Sequence, residues 1–281
     1  MMKLAGVVIT FFPDIPELQK NINSYIDDLD FLVIWENTPI DKRNYKEDDL
    51  KNISDKVIVM GVGSNLGIGA ALNQSIWHLL DYDCDYFVTF DQDSSFDFGV
   101  LNQYKKLVTE NNQEEIGVFG TNYISNDSLA YSGDFDSLVV NECITSGSIF
   151  PKTNFIKGHF FNEDFFIDAV DFEYCYRIAK TSGLSTVIFP KIILNHNIGY
   201  SDQSFVSKLS DNYSAFRTFF LIKNQIYIWR KYPDLFEFKR KIHLVIKYII
   251  LRIVSVVFFE RDKYAKLKSI IRGINQGLSK P

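Results

Sequence analysis

Cysteine is scarce in this chain: Cys84, Cys143 and Cys175 are the only three in 281 residues, far apart and without metal-ligand spacing. An odd, scattered set excludes a disulfide framework and points to a reducing compartment. Long apolar runs are also missing. No segment reaches the roughly 18 uncharged apolar residues that a membrane-crossing helix needs. The opening Met1–Asp14 has too short an apolar run for a secretory signal and lacks a small-residue cleavage site, so a first strand is expected there. Neither a G-x-G-x-x-G string nor a Gly-Lys-Ser/Thr phosphate loop occurs, which removes the commonest dinucleotide and triphosphate signatures. Repeats and low-complexity segments are absent as well. Hydrophobic residues at 46% and charged residues at 23% leave an ordinary globular chain with no disordered stretch.

What is present is unevenly charged. The net charge of −5 divides into +9 for residues 230–281 and −14 for residues 1–229. The acidic body argues against nucleic acid as a partner. The basic tail predicts contact with an anionic surface.

Four apolar runs predict strands: Ala5–Phe11, Phe31–Trp35, Lys56–Met60 and Tyr86–Phe90. Helical spacing over Ile15–Leu29 and Gly69–Leu80 alternates with them. Such alternation predicts an α/β fold, a mixed and mostly parallel sheet flanked by helices. A further helix is expected over Asp171–Ser182, ending near Gly183. From about Ser207 the chain should be helical, and Lys239–Asp262 is apolar over most of its circumference, which demands burial in protein or lipid. The expected division is an α/β part, residues 1–205, and a C-terminal helical region, 206–281.

In parallel sheets ligands gather beyond the carboxyl ends of the strands. The segments there are Thr10–Asp14, Glu36–Asn37, Gly61–Gly69 and Asp91–Ser95, all polar or glycine-rich. Asp91 and Asp93 suit shared work, one carboxylate on a ribose hydroxyl and the other on Mg²⁺ or Mn²⁺. Asn65–Asn73 follows a strand and opens a helix, where small residues admit a phosphate-bearing ligand close to the backbone. Around Asp171, three acids and an arginine (Asp168, Asp171, Glu173, Arg177) surround a helix start. One of them could serve as a general base, while Arg177 could simply pair with Glu173 four residues earlier. His196 in the loop Asn195–Ser201 could ligate metal. Ser146 and Gly147 stand in a turn that could meet substrate.

Taken together and in this order, from Val7 to about Ser201, these residues resemble the family 2 glycosyltransferases of the rhamnosyltransferase-like branch. A weaker likeness continues through Phe219–Asn224 to Ile270–Leu278. The resemblance implies a GT-A fold and inverting transfer from a nucleotide-sugar donor, dTDP- or UDP-linked, to an acceptor hydroxyl. The implied donor is dTDP-L-rhamnose, with a UDP-hexose as the alternative, and the implied acceptor is a saccharide or lipid-linked glycan of a growing cell-surface polysaccharide. Thr10, Phe11 and Pro13 would line the nucleoside. Glu36 stands where the family usually has an aspartate on the base. Asn65, Gly67 and Asn73 match its Asn-x-Gly segment. Asp91 would meet the ribose, Asp93 and His196 the metal, and Asp171 would be the catalytic base, since Val170 replaces the first acid of the family's pair. The basic C-terminal helices would rest on the inner face of the plasma membrane from the cytoplasm, or pair two copies in a homodimer. A binding protein that kept the fold and lost the chemistry is the rival class. A nucleotidyltransferase would need glycine and a basic residue in Val8–Ile15, which has neither.

Overall fold

The computed structural model describes residues 2–111, 114–125, 128–196 and 213–279. The expected boundary at 205/206, the helix start near Ser207 and the loop residues 197–201 lie outside them.

Among the described residues ten strands form the sheet: β1 Leu4–Thr10, β2 Phe31–Glu36, β3 Val57–Met60, β4 Tyr86–Asp91, β5 Ser94–Ser95, β6 Ile116–Ser125, β7 Ser128–Leu129, β8 Leu138–Val140, β9 Ile149–Pro151 and β10 Ser185–His196. Their order is β3-β2-β1-β4-β9-β6-β10-β5, with β7 beside β6 and β8 beside β10. β1 pairs in parallel with β2 and β4, β2 with β3, and β6 with β10, while β9 runs antiparallel between β4 and β6. All the long strands therefore point one way, as the continuous apolar runs require. The chain departs to β2 on one side of β1 and to β4 on the other, and this reversal opens a crevice at the carboxyl ends of β1 and β4.

The helices are α1 Ile15–Asn23, α2 Glu47–Lys51, α3 Ile68–Leu79, α4 Val100–Glu110, α5 Lys152–Ile156, α6 Val170–Ser182, α7 Ala215–Lys231, α8 Phe238–His243, α9 Arg252–Phe258 and α10 Lys263–Ser279. A wide π-helical stretch, Leu244–Leu251, joins α8 to α9 without a break. One face of the sheet packs on Leu18, Ile22, Leu101 and Tyr104 of α1 and α4. The other packs on Leu72 and Ile76 of α3, on Tyr174 and Ile178 of α6, and on Ile222, Ile226 and Ile270 from the C-terminal helices. The C-terminal helices thus share a core with the sheet.

Helix α1 stops earlier than its periodicity predicts. Ser24 donates its hydroxyl to the Asn21 carbonyl at 2.6 Å and accepts the Phe96 amide at 3.0 Å, and Tyr25 leaves the helix to stack on Phe90 at 4.0 Å. A tertiary stack here overrides local preference. At the far end, α10 lies close on α7: a Cβ on Gly273 would come within 2.9 Å of the Phe219 carbonyl, and one on Gly277 within 2.9 Å of the Lys223 carbonyl. The Gly-Ile-Asn-Gln-Gly spacing that carried part of the resemblance is a helix-packing device.

Candidate active site

Strand β4 delivers Asp91 to the crevice, and the chain turns at once so that Ser94 and Ser95 pair antiparallel with His196 and Asn195 at the end of β10. That two-residue ladder brings together groups about a hundred positions apart in sequence. His196 Nδ1 lies 3.3 Å from an Asp93 carboxylate oxygen, and Nε2 lies 3.9 Å from one of Asp91. One ligand atom from each of the three lies within 4.8 Å of the others.

The cluster is braced from behind. Ser146 accepts the Asp91 amide at 3.0 Å and donates to Ser94 at 2.7 Å, and Ser94 meets His196 Nδ1 at 2.9 Å. Gly147, at φ 75°, donates its amide to the Thr89 carbonyl at 2.7 Å, and a Cβ there would strike the Thr121 hydroxyl at 2.9 Å. Burial works to lower the His196 pKa, but the hydrogen bond to Asp93 and the charges of Asp91 and Asp93 outweigh it, so the value is raised. Asp91 is raised too, chiefly by desolvation and further by Asp93, against the pull of His196 and Arg217.

Asp171 opens the first turn of α6 and accepts the Phe172 amide at 2.9 Å. Burial pushes its carboxyl up to about 7, with the charges of Asp91 and Asp168 adding to the effect and backbone amides opposing it. Thr145 separates the two acidic centres, lining the hollow beside Asp171 and the one beside Asp91. Two buried thiols also meet next to Asp171: the Cys143 and Cys175 sulfurs are 3.9 Å apart, a contact their sequence spacing does not foretell.

The other expected residues divide between cleft and scaffold. Phe11 is 46% exposed at the end of β1, edge-on to Phe12 at 4.6 Å, and its amide donates to the Gln92 side chain at 2.8 Å. Phe12, absent from the sequence reading, is equally exposed and held at φ 49°. Thr10 and Pro13 are buried beneath them. Glu36 is 1% exposed; its carboxylate accepts the Thr38 amide at 2.8 Å, the Tyr45 hydroxyl and, at 3.5 Å, the Thr10 hydroxyl. That carboxylate is buried and bonded to groups that shape the β2 exit. Asn65 accepts the Gly67 amide at 2.8 Å, folding the turn ahead of α3. Asn73 is buried and ties α3 to both backbone groups of Phe161.

Glu173 is fully buried, pairing with Arg177 at 3.2 Å and accepting the Tyr232 hydroxyl at 3.0 Å, so this pair fastens α6 to the C-terminal helices. The i,i+4 pairing weighed from sequence is the arrangement observed. Asp168 receives a two-pronged ion pair from Arg217, with contacts of 2.9 and 3.2 Å. Arg217 escaped the sequence reading. It lies on α7 yet is close enough to Asp91 to act on its charge, and the only hint is its place shortly after the expected metal histidine.

Loop 164–169 is gripped from both sides. The Ile68 amide donates to the Phe166 carbonyl at 2.7 Å, and a Cβ on Gly67 would meet that oxygen at 2.6 Å. From the other side, Asn224 donates to the carbonyls of Ile167 at 2.9 Å and Asp168 at 2.8 Å. Asp168 and Ala169 both take φ 63°, and this left-handed step turns the chain into α6 and sets Asp171 at its start.

No protein-family model matches the chain. Among curated proteins it is similar to the dTDP-rhamnosyl transferase RfbF of Shigella flexneri, 26% identical over 248 residues, covering 80% of this chain and 79% of that protein. Among solved structures it superposes on S. aureus TarS with a TM-score of 0.53 at 12% identity, over 99% of this chain; the chain spans 55% of TarS. The strand order and the braced strand-end cluster agree with these likenesses: the chain has the GT-A glycosyltransferase fold, a mixed and mostly parallel sheet flanked by helices, and its sequence is similar to that of a dTDP-rhamnosyl transferase.

Proposed function

We propose that this protein transfers L-rhamnose from dTDP-L-rhamnose to a hydroxyl of a saccharide or lipid-linked glycan, with inversion at the anomeric carbon. The observation that carries the proposal is the convergence of Asp91, Asp93 and His196 at the ends of β4 and β10, with Asp171 across Thr145. The name of the Shigella relative supports the choice of donor.

Two carboxylates and an imidazole suit a hard divalent cation, and Asp91, Asp93 and His196 would hold Mg²⁺ or Mn²⁺ between them. When bound, the ion supplies positive charge opposite the departing diphosphate. Phe11 and Phe12 offer their rings to the nucleoside. Asp171 removes the proton from the acceptor hydroxyl as its oxygen attacks the anomeric carbon, and a carboxyl near 7 is matched to that task. Asp168 holds Arg217 near the diphosphate end of the cleft. In this reading residues 1–205 form the catalytic part and 206–281 the helical part, placed at the cytoplasmic face of the plasma membrane. Pairing of two copies through the same helices is the competing use of that region.

The test is nucleoside diphosphate release from dTDP-L-rhamnose and from UDP-hexoses, with and without Mn²⁺. Release from dTDP-L-rhamnose that depends on the cation is expected. Release from a UDP-hexose alone would move the reading to a hexose donor. No release from any donor, with no thermal shift by dTDP, would leave a binding protein.

A further inference from the structure

An exposed apolar surface runs along the C-terminal helices. Along α8, the π-helical stretch and α9, Phe238, Ile242, Ile246, Ile250, Val254 and Phe258 recur every fourth position, and all are exposed, from 39% to 74%. The inward side of the same helix carries Leu244, Arg252, Ser255 and Val256, each 3% exposed or less. The amphipathic logic is therefore inverted: the outer face is oily, over a length of about 30 Å. A contiguous apolar strip of this size on a protein surface marks a contact site. No helix among the described residues is long and apolar enough to cross a membrane.

Charge identifies the occupant. From Phe238 to Phe259 there is no acidic residue, while Lys239, Lys241 and Lys247 lie on this helix and Arg261, Lys263 and Lys268 follow it. Two copies packed strip to strip would set these cations against each other. An anionic lipid surface would satisfy both the cations and the strip. Helix α10, by contrast, buries Ile270, Gly273 and Gly277 against α7.

We infer that the single continuous helix 238–258 lies in the plane of an anionic bilayer surface with this strip immersed. The inference rests on, and sharpens, the membrane placement proposed above. It also says which side of the enzyme faces the lipid. Arg240, on the same helix, pairs with Glu142 and stands 4.1 Å from the ring centre of Phe172, the neighbour of Asp171. The bilayer is thus met beside the base, and the acceptor class that fits is a glycan carried on a lipid anchor.

The experiment is co-flotation of the full chain with vesicles of phosphatidylcholine, with and without phosphatidylglycerol, at low and high salt. Salt-sensitive flotation with the phosphatidylglycerol vesicles is expected, reduced about tenfold or more in the Ile246→Asp/Ile250→Asp double variant. Donor cleavage in solution should be unchanged in that variant, which separates failure of this inference from failure of the catalytic reading. A wild-type chain that does not float, or a double variant that floats equally well, overturns the inference. So does light scattering that shows a wild-type dimer converted to a monomer by the two substitutions, since a second copy would then cover the strip.

Discussion

Asp91 and Asp93 are two residues apart, as are Asp171 and Glu173, yet the two pairs end in opposite circumstances. Asp91 ends β4 and Asp93 lies in the tight turn to β5, and that turn brings both carboxylates of the first pair to His196. On a helix, residues two apart diverge by about 200°. Asp171 therefore stays half-buried within reach of the charge of Asp91, while Glu173 points into the core and pairs with Arg177. Identical spacing means shared chemistry at a strand-end turn and divided labour on a helix.

The largest expected effect tests the half-buried side of the helical pair. Asp171→Asn should lower transfer about 10²–10⁴-fold while calorimetry shows dTDP binding retained. Near-normal transfer would remove Asp171 from the base role. In the wild type the rate should rise with pH through about 7, as the carboxyl loses its proton, and this limb should vanish in the variant. Stability runs the other way. Because the folded-state value is raised, the contribution of protonated Asp171 is complete below the unfolded value and is lost as pH rises through about 7. Denaturant midpoints against pH would reveal that slope and its absence in Asp171→Asn.

The core side of the pair should behave differently. Glu173→Ala leaves Arg177 without its carboxylate and should lower unfolding free energy by about 3–5 kcal/mol, with transfer per folded molecule unchanged. Lost transfer at intact stability would break the contrast. For the strand-end pair, Asp93→Ala removes a ligand and should weaken Mn²⁺-dependent donor binding by about 100-fold, at or beyond the top of the about 10–100-fold range for groups that only support a ligand. The smallest effect belongs to Ser94→Ala, about tenfold in the same titration, because the hydroxyl only steadies the imidazole. Equal losses in the two variants would place Ser94 among the ligands.

Where the sequence could be read, hydrophobic patterning did the work. β1 to β4 and α3 stand within a residue or two of the expected runs, since a buried parallel strand is apolar throughout. The residues at the strand ends followed from that placement. Contacts made by distant segments were not legible. The early end of α1 depends on Phe90, the inward turn of the Glu36 carboxylate depends on Tyr45, and the nearness of Arg217 to Asp91 depends on how α7 docks. The apolar circumference of 239–262 was visible, but the side left outward was not, because that follows from which residues α7 and the sheet bury.

The grip on loop 164–169 bears on how such enzymes can be recombined. One short segment touches the turn ahead of α3 at Ile68 and the C-terminal helix at Asn224. A chimaera that joined the first 196 residues to a foreign tail would discard one jaw of that vice and leave the left-handed step at Asp168 and Ala169 without its clasp. A portable cassette must therefore keep α7 together with Tyr232, which anchors Glu173, and α10, which packs on α7 through Gly273 and Gly277.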